Sequence, residues 1–274
     1  MSKERVASSM IMILVAIAAV LNQSVFIVVL LALTIGGLYE FFYLINKKGI
    51  PIYSYTGIAI GVMIPLSIYT RFELTGNWEL LFIVVLLLMI FLMQFIRKEN
   101  NNAIVGISTT LFGILYVSWL FSFLIKVRFI LPGADGMKLL GFILLVTKTG
   151  DIGALLVGSR FGKHLLLPRI SPHKTIEGCL GSFAFSALAA VLGSALIPDR
   201  FGFSTGHIAL MGAFFGGMGQ LGDMSESLIK RDCNVKDSGR FLPALGGVLD
   251  MIDSILFSAP VFYFYISSVP LARP

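Results

Sequence analysis

Charge is scarce in this sequence: Asp, Glu, Lys and Arg together make up 13% of its 274 residues, while 57% are hydrophobic. With a mean hydropathy of +0.90, the chain is far more apolar than a water-soluble domain of this length needs in order to fill one core. A soluble enzyme is therefore excluded, and lipid must solvate much of the surface. Two cysteines, Cys179 and Cys233, are too few for a disulfide framework. No basic run with interleaved aromatics lies in a polar segment, so nucleic acid is excluded as a partner. Internal repeats and low-complexity tracts are absent as well, which excludes solenoids and arrays.

What is present is a succession of apolar runs near residues 6–21, 24–45, 50–69, 78–96, 103–125, 137–158, 175–197, 204–229 and 247–268. A spanning helix takes ~20 apolar residues, so these runs predict an all-α, polytopic transmembrane protein with about nine spans. The weak break at Asn22 and Gln23 leaves the first two runs open to a tight hairpin or a partly re-entrant element. With the N-terminus inside, fourteen Lys and Arg fall on the cytosolic side and five on the other, which satisfies the positive-inside rule. The basic excess thus reports membrane orientation.

The two halves differ in kind. Residues 1–135 read as lipid-facing scaffold helices, with Glu40 as their one buried acid. Residues 136–274 read as the catalytic region, because almost every span there carries an acid: Asp151, Glu177, Asp223, Glu226, Asp250 and Asp253. A carboxylate at a bilayer centre costs ~2.5–3.5 kcal/mol even on the lenient insertion scale, so these six must face protein, water or a metal. The predicted topology puts them all in one layer on the cytosolic side. Asp250 and Asp253 share a helix face at i, i+3, and so do Asp223, Glu226 and Lys230 at i, i+3 and i+7.

Hard divalent cations are held by one or two carboxylates, waters and substrate phosphates. Asp223 and Asp250, facing each other from two spans, are expected to form such a site, with Asp253 beside them. Lys163, Arg169, Ser171, Lys174 and Thr175 in one loop, and Lys230, Arg231, Lys236 and Arg240 in the next, supply cations and hydroxyls suited to a phosphate-rich substrate. Gly217 to Gly222 match G-x-G-x-x-G, but no strand precedes them and no βαβ unit surrounds them. Those glycines read as close helix packing beside Asp223.

The run SLIKRDCNVKDSGRFLP from Ser227 to Pro243, leading into GGVLDMID from Gly246 to Asp253, resembles the signature of phosphatidate cytidylyltransferases, the CDP-diacylglycerol synthases. An upstream block is similar to the family's other motif: Asp151, Gly153, Gly158, Phe161 to Lys163, Pro168, Ser171, Pro172, Lys174, Thr175, Glu177 and Gly178. The resemblance covers roughly residues 150–254. Two positions depart from it, Leu245 where the family has a His and Met251 where it has an Arg.

The resemblance implies transfer of CMP from CTP to phosphatidic acid, with Mg2+ as cofactor, a second cation (Mg2+ or K+) left open, and a homodimer. Carried over residue by residue, Asp223, Asp250 and Asp253 would bind metal, and Asp223, Asp250, Lys174, Lys230 and Arg231 would act in catalysis. Ser171, Lys174, Thr175, Lys163, Lys230, Arg231, Lys236, Asp151, Glu177 and Glu226 would bind substrate. A CTP-dependent polyprenol or lipid kinase and, from another class, a secondary transporter with an intramembrane ion site are the alternatives.

Overall fold

A computed structural model describes residues 3–70, 78–97, 101–239 and 246–270. Its helices follow the apolar runs: α1 Lys3–Leu21, α2 Gln23–Lys47, α3 Ser54–Thr70, α4 Trp78–Ile96, α5 Ala103–Gly113, α6 Leu120–Phe129, α7 Ala134–Phe161, α8 Ile176–Leu192, α9 Thr205–Asp232 and α10 Val248–Ser268. A π-helical turn, Ile114–Trp119, joins α5 to α6 in one rod, Ala103–Phe129. Among the described residues, α2, this rod, α7 and α10 are long and apolar enough to cross a membrane, and α1, α3, α4 and α8 contain shorter apolar helices.

Local chemistry explains the breaks. Asn22 is extended, and its side chain accepts from the amides of Ser24 and Val25 at 2.9 and 3.2 Å, capping α2 one residue after α1 ends. The first two runs are thus separate helices packed on one another. Inside α3, Pro65 has no N–H to give the Gly61 carbonyl, and the Ser118 hydroxyl on the π turn donates to that carbonyl instead. The vacancy created by one proline is filled by a neighbouring helix, which fixes α3 against the rod.

The expectation of purely helical structure needs one correction. Between α7 and α8 the chain forms two short antiparallel strands, β1 Leu165–Leu167 and β2 Ser171–Thr175, where a loop was expected. The segment carries Pro168 and Pro172, which cannot continue a helix, so its backbone groups pair across a hairpin instead.

Helix α10 is the hub. It packs against α9, α6, α2 and α7, and its residues from Val248 to Ile266 include the buried Leu249, Ile252, Leu256, Ala259 and Phe262. Phe142 of α7 and Phe215 of α9 close on Phe262, with ring centroids 6.0 and 5.1 Å away. Helix α4 lies at the periphery against α3 and α5. The acids of the second half therefore stand on the four helices that pack most intimately, α7 to α10.

Candidate active site

Close approach of these helices depends on residues without bulk. Ser186 of α8 donates to the Val146 carbonyl of α7 at 3.0 Å, and a Cβ at Gly216 of α9 would strike the Ser186 side chain. At Gly222 a Cβ would collide with the backbone carbonyl of Asp253, so only glycine lets α9 lie this near α10. The G-x-G-x-x-G spacing thus ends on a packing position, directly beside the acid at 223.

That approach brings Asp223 and Glu226 of α9 together with Asp253 of α10, one carboxylate oxygen from each lying within 4.8 Å of the others. Glu226 is fully buried, Asp253 nearly so, and Asp223 half-buried. Two lysines border the group: Lys174 of β2 is 2.7 Å from Asp223, and Lys230 is 2.6 Å from Glu226. Both Glu226 oxygens are buried without a hydrogen-bond donor, which leaves Lys230 as their ion-pair partner. A third lysine, Lys148 of α7, donates to Asp151 at 3.2 Å, Ser254 Oγ at 2.8 Å and the Met251 carbonyl at 3.1 Å.

Grouped with Asp223 and Asp253 is Glu226, whereas Asp250, expected to face Asp223, pairs with Lys230. Asp250 sits in the first turn of α10, where it forms an ion pair with Lys230 and accepts from the Gly247 amide at 2.8 Å and the Ser238 hydroxyl at 2.9 Å. One of its oxygens thus takes the donors at the helix start while the other meets Lys230. Glu226, expected to touch substrate, instead joins the acidic group.

These contacts test whether a divalent cation suits the residues present. At ordinary charges Asp151, Asp223, Glu226, Asp250 and Asp253 face Lys148, Lys174 and Lys230, leaving two negative charges in a poorly solvated layer. Oxygen-only donors and that excess fit a hard divalent ion.

Beside the acids lies a cavity of about 530 Å³ between α7, β2, α8 and α9. Asp151, Ser171, Lys174, Thr175 and Asp223 line it together, as five of the expected site residues, with Ser159, His173 and Gln220. The others stand elsewhere. Glu177 accepts from the amides of Lys163 and His164 at 3.1 and 3.3 Å and pairs with His164 Nδ1 at 2.6 Å, so it braces the hairpin. Lys163 contributes that amide while its side chain is exposed. Thr175 also caps α8 through the Gly178 amide, at 3.1 Å. Arg231 donates to the Ile170 carbonyl at 3.1 Å, tying α9 to the hairpin, and Lys236 is exposed. Arg240 and Leu245 lie outside the described residues.

Lys148, Ser254 and Glu40 are the residues that sequence reasoning assigned no role. For Lys148 the signal was present, a cation inside an apolar span three residues before Asp151. Glu40 of α2 accepts from Ser238 Oγ and from the amides of Val248 and Leu249, each at 2.9 Å, so it anchors the start of α10 from the other half of the chain.

Residues 3–269 match the model of a family described as the cytidylyltransferase family. The chain is similar to a phosphatidate cytidylyltransferase of Synechocystis sp., 33% identical over 291 residues that cover 97% of each chain. It is also similar to a phosphatidate cytidylyltransferase of Bacillus subtilis, 32% identical over 203 residues and 73% of each chain. The uncharacterized protein YnbB of Escherichia coli is 37% identical over 161 residues, covering 57% of this chain and 50% of that one.

Proposed function

Since the chain belongs to the cytidylyltransferase family, we propose that it is an integral membrane enzyme transferring CMP from CTP to phosphatidate, with CDP-diacylglycerol and pyrophosphate as products. The observation that carries this reading is the cavity in which Lys174, Ser171 and Thr175 share a wall with Asp151 and Asp223, next to Glu226 and Asp253. A cavity with an ammonium and hydroxyls suits phosphates, and buried acids alongside suit the cation that accompanies a nucleotide triphosphate.

In the reaction a phosphate oxygen of phosphatidate attacks the α-phosphorus of CTP. A new P–O bond forms, the bond to the β-phosphate breaks, and pyrophosphate leaves with the electron pair. The attacking group is already anionic at neutral pH, so no strong general base is required. Lys174, Ser171 and Thr175 hold the nucleotide phosphates in line. Mg2+ is the ion for Asp223, Glu226 and Asp253 to hold, and when bound it would neutralise charge on the phosphates. Asp250 keeps Lys230 beside Glu226. Arg231 and Glu177 hold the hairpin that carries Lys174.

The same reading includes nine spans, a scaffold half at 1–135, a catalytic half at 136–274, and a homodimer in the bacterial inner membrane. The N-terminus and the acids face the cytosol in it, supported by the distribution of Lys and Arg. Incubating purified protein with CTP labelled at the α-phosphate, Mg2+ and phosphatidate tests the activity. Label is expected in the lipid, with release of pyrophosphate. Transfer of the γ-phosphate to a lipid alcohol would make the protein a kinase, and ion flux without nucleotide consumption would make it a transporter.

A further inference from the structure

A second cavity, of about 460 Å³, lies between α1, α2, α6, α7 and α10. Its wall is apolar, from Ile13 and Ala16 of α1 through Leu30 of α2 and Leu144 of α7 to Ile255 of α10. Lys148 and Asp151 are the charged residues that line it, and they lie towards one end: along α7 the lining runs from Leu140 to Ile152, about 18 Å at 1.5 Å per residue. Asp151 lines the polar cavity as well, so the two cavities meet at this side chain. Each contributes an ammonium beside the junction, Lys148 on the apolar side and Lys174 on the polar side.

We propose that the apolar cavity holds one acyl chain of the glycerolipid phosphate substrate, with the lipid's phosphate at the junction by Asp151. This rests on the cytidylyl-transfer reading given above. A nucleotide has no apolar tail to fill the cavity, and a neutral or zwitterionic lipid brings no net charge to draw Lys148 and Lys174 from their partners Asp151 and Asp223. A lipid phosphate satisfies both ends, and its head then lies at the edge of the cavity that takes the nucleotide. The volume falls within the ~300–1,000 Å³ of ordinary ligand sites, enough for one tail rather than a whole diacyl lipid. Lys148 acts here as a positioning residue: its contacts to Ser254 and Met251 hold its charge at the cavity's end.

Ala16 is exposed on α1 and lines the cavity, so Ala16→Trp fills the space from outside without disturbing the core. The expected result is a rise of about tenfold in KM for long-chain phosphatidate, with KM for CTP and turnover of dihexanoyl phosphatidate unchanged. No change, or equal loss on both lipids, overturns the proposal. A binding measurement on the wild-type protein keeps the test separate from turnover: phosphatidate with a photoreactive acyl chain should label peptides of α1 and α10. Label elsewhere, or equal labelling by photoreactive phosphatidylcholine, overturns it too. Labelling as expected in a protein that forms no CDP-lipid would instead remove the activity and leave the lipid site.

Discussion

Replacing Lys230 by methionine separates a structural ammonium from a phosphate clamp. Lys230 is buried, forms an ion pair with Asp250 and lies 2.6 Å from Glu226, whose side chain has no exposure at all. Methionine keeps the volume and removes the charge, so the packing loss is small and the electrostatic loss dominates. Asp250 retains its donors on Ser238 and Gly247, whereas Glu226 retains none. The cost therefore falls on Glu226, and removing one partner of a buried pair costs ~3–5 kcal/mol. Adding Glu226→Gln to Lys230→Met should recover most of it, with a coupling of at least ~2 kcal/mol between the sites. Unfolding of the wild type, both single variants and the double variant, followed by circular dichroism in one detergent, gives the cycle. A single variant as stable as the wild type, or a double variant no better than Lys230→Met, refutes the reasoning. A clamp would instead leave stability alone and raise KM for CTP.

Asp223→Asn should lower turnover about 100-fold or more at saturating CTP, because the acidic group loses a charge where the cation and phosphates meet; added Mg2+ should not rescue it, and an unchanged circular dichroism spectrum should show that the fold persists. Gly222→Ala should destabilise the protein by ~1–3 kcal/mol, since the new methyl meets the Asp253 carbonyl, and turnover should fall as Asp253 moves away from Asp223; thermal melts alongside the labelled-CTP assay check both. Glu40→Gln should cost ~1.5–3 kcal/mol by weakening charge-assisted bonds to the amides of Val248 and Leu249, and faster amide hydrogen exchange confined first to the start of α10 would show where the loss falls.

Helix positions were legible because an apolar run is its own signal. The runs at 204–229 and 247–268 correspond to Thr205–Asp232 and Val248–Ser268, and the acids on them were recognisable as a layer from the cost of leaving a carboxylate in lipid. The hairpin was not legible. Its pairing depends on Arg231 and Glu177 reaching it from α9 and α8, contacts between residues far apart in sequence or across a turn. The second cavity was equally hidden, since its wall takes residues from five helices and no local pattern marks them. Lys148 shows the intermediate case: its residue type and place in an apolar span were visible, but its three partners on two helices were not.

The exchange of Asp250 for Glu226 in the acidic group has a cause that spacing cannot express. Asp250 and Asp253 share a helix face at i, i+3, so the sequence treats them alike, yet they occupy different turns of α10. Three residues after Gly247, Asp250 is within reach of the free amide at the helix start, and that donor claims it. Asp253, one turn further in, accepts from the neighbouring Ser254 amide and faces the oxygens of Asp223 and Glu226. On α9 the order is reversed, because Asp223 and Glu226 stand well inside the helix, where every backbone donor is already used. An acid in the first turn can take a free amide of its own helix as well as Lys230, while Asp223 and Glu226, deep inside α9, are each paired with a lysine. Depth along the helix thus separates Asp250 from Asp253, although their spacing along the chain does not.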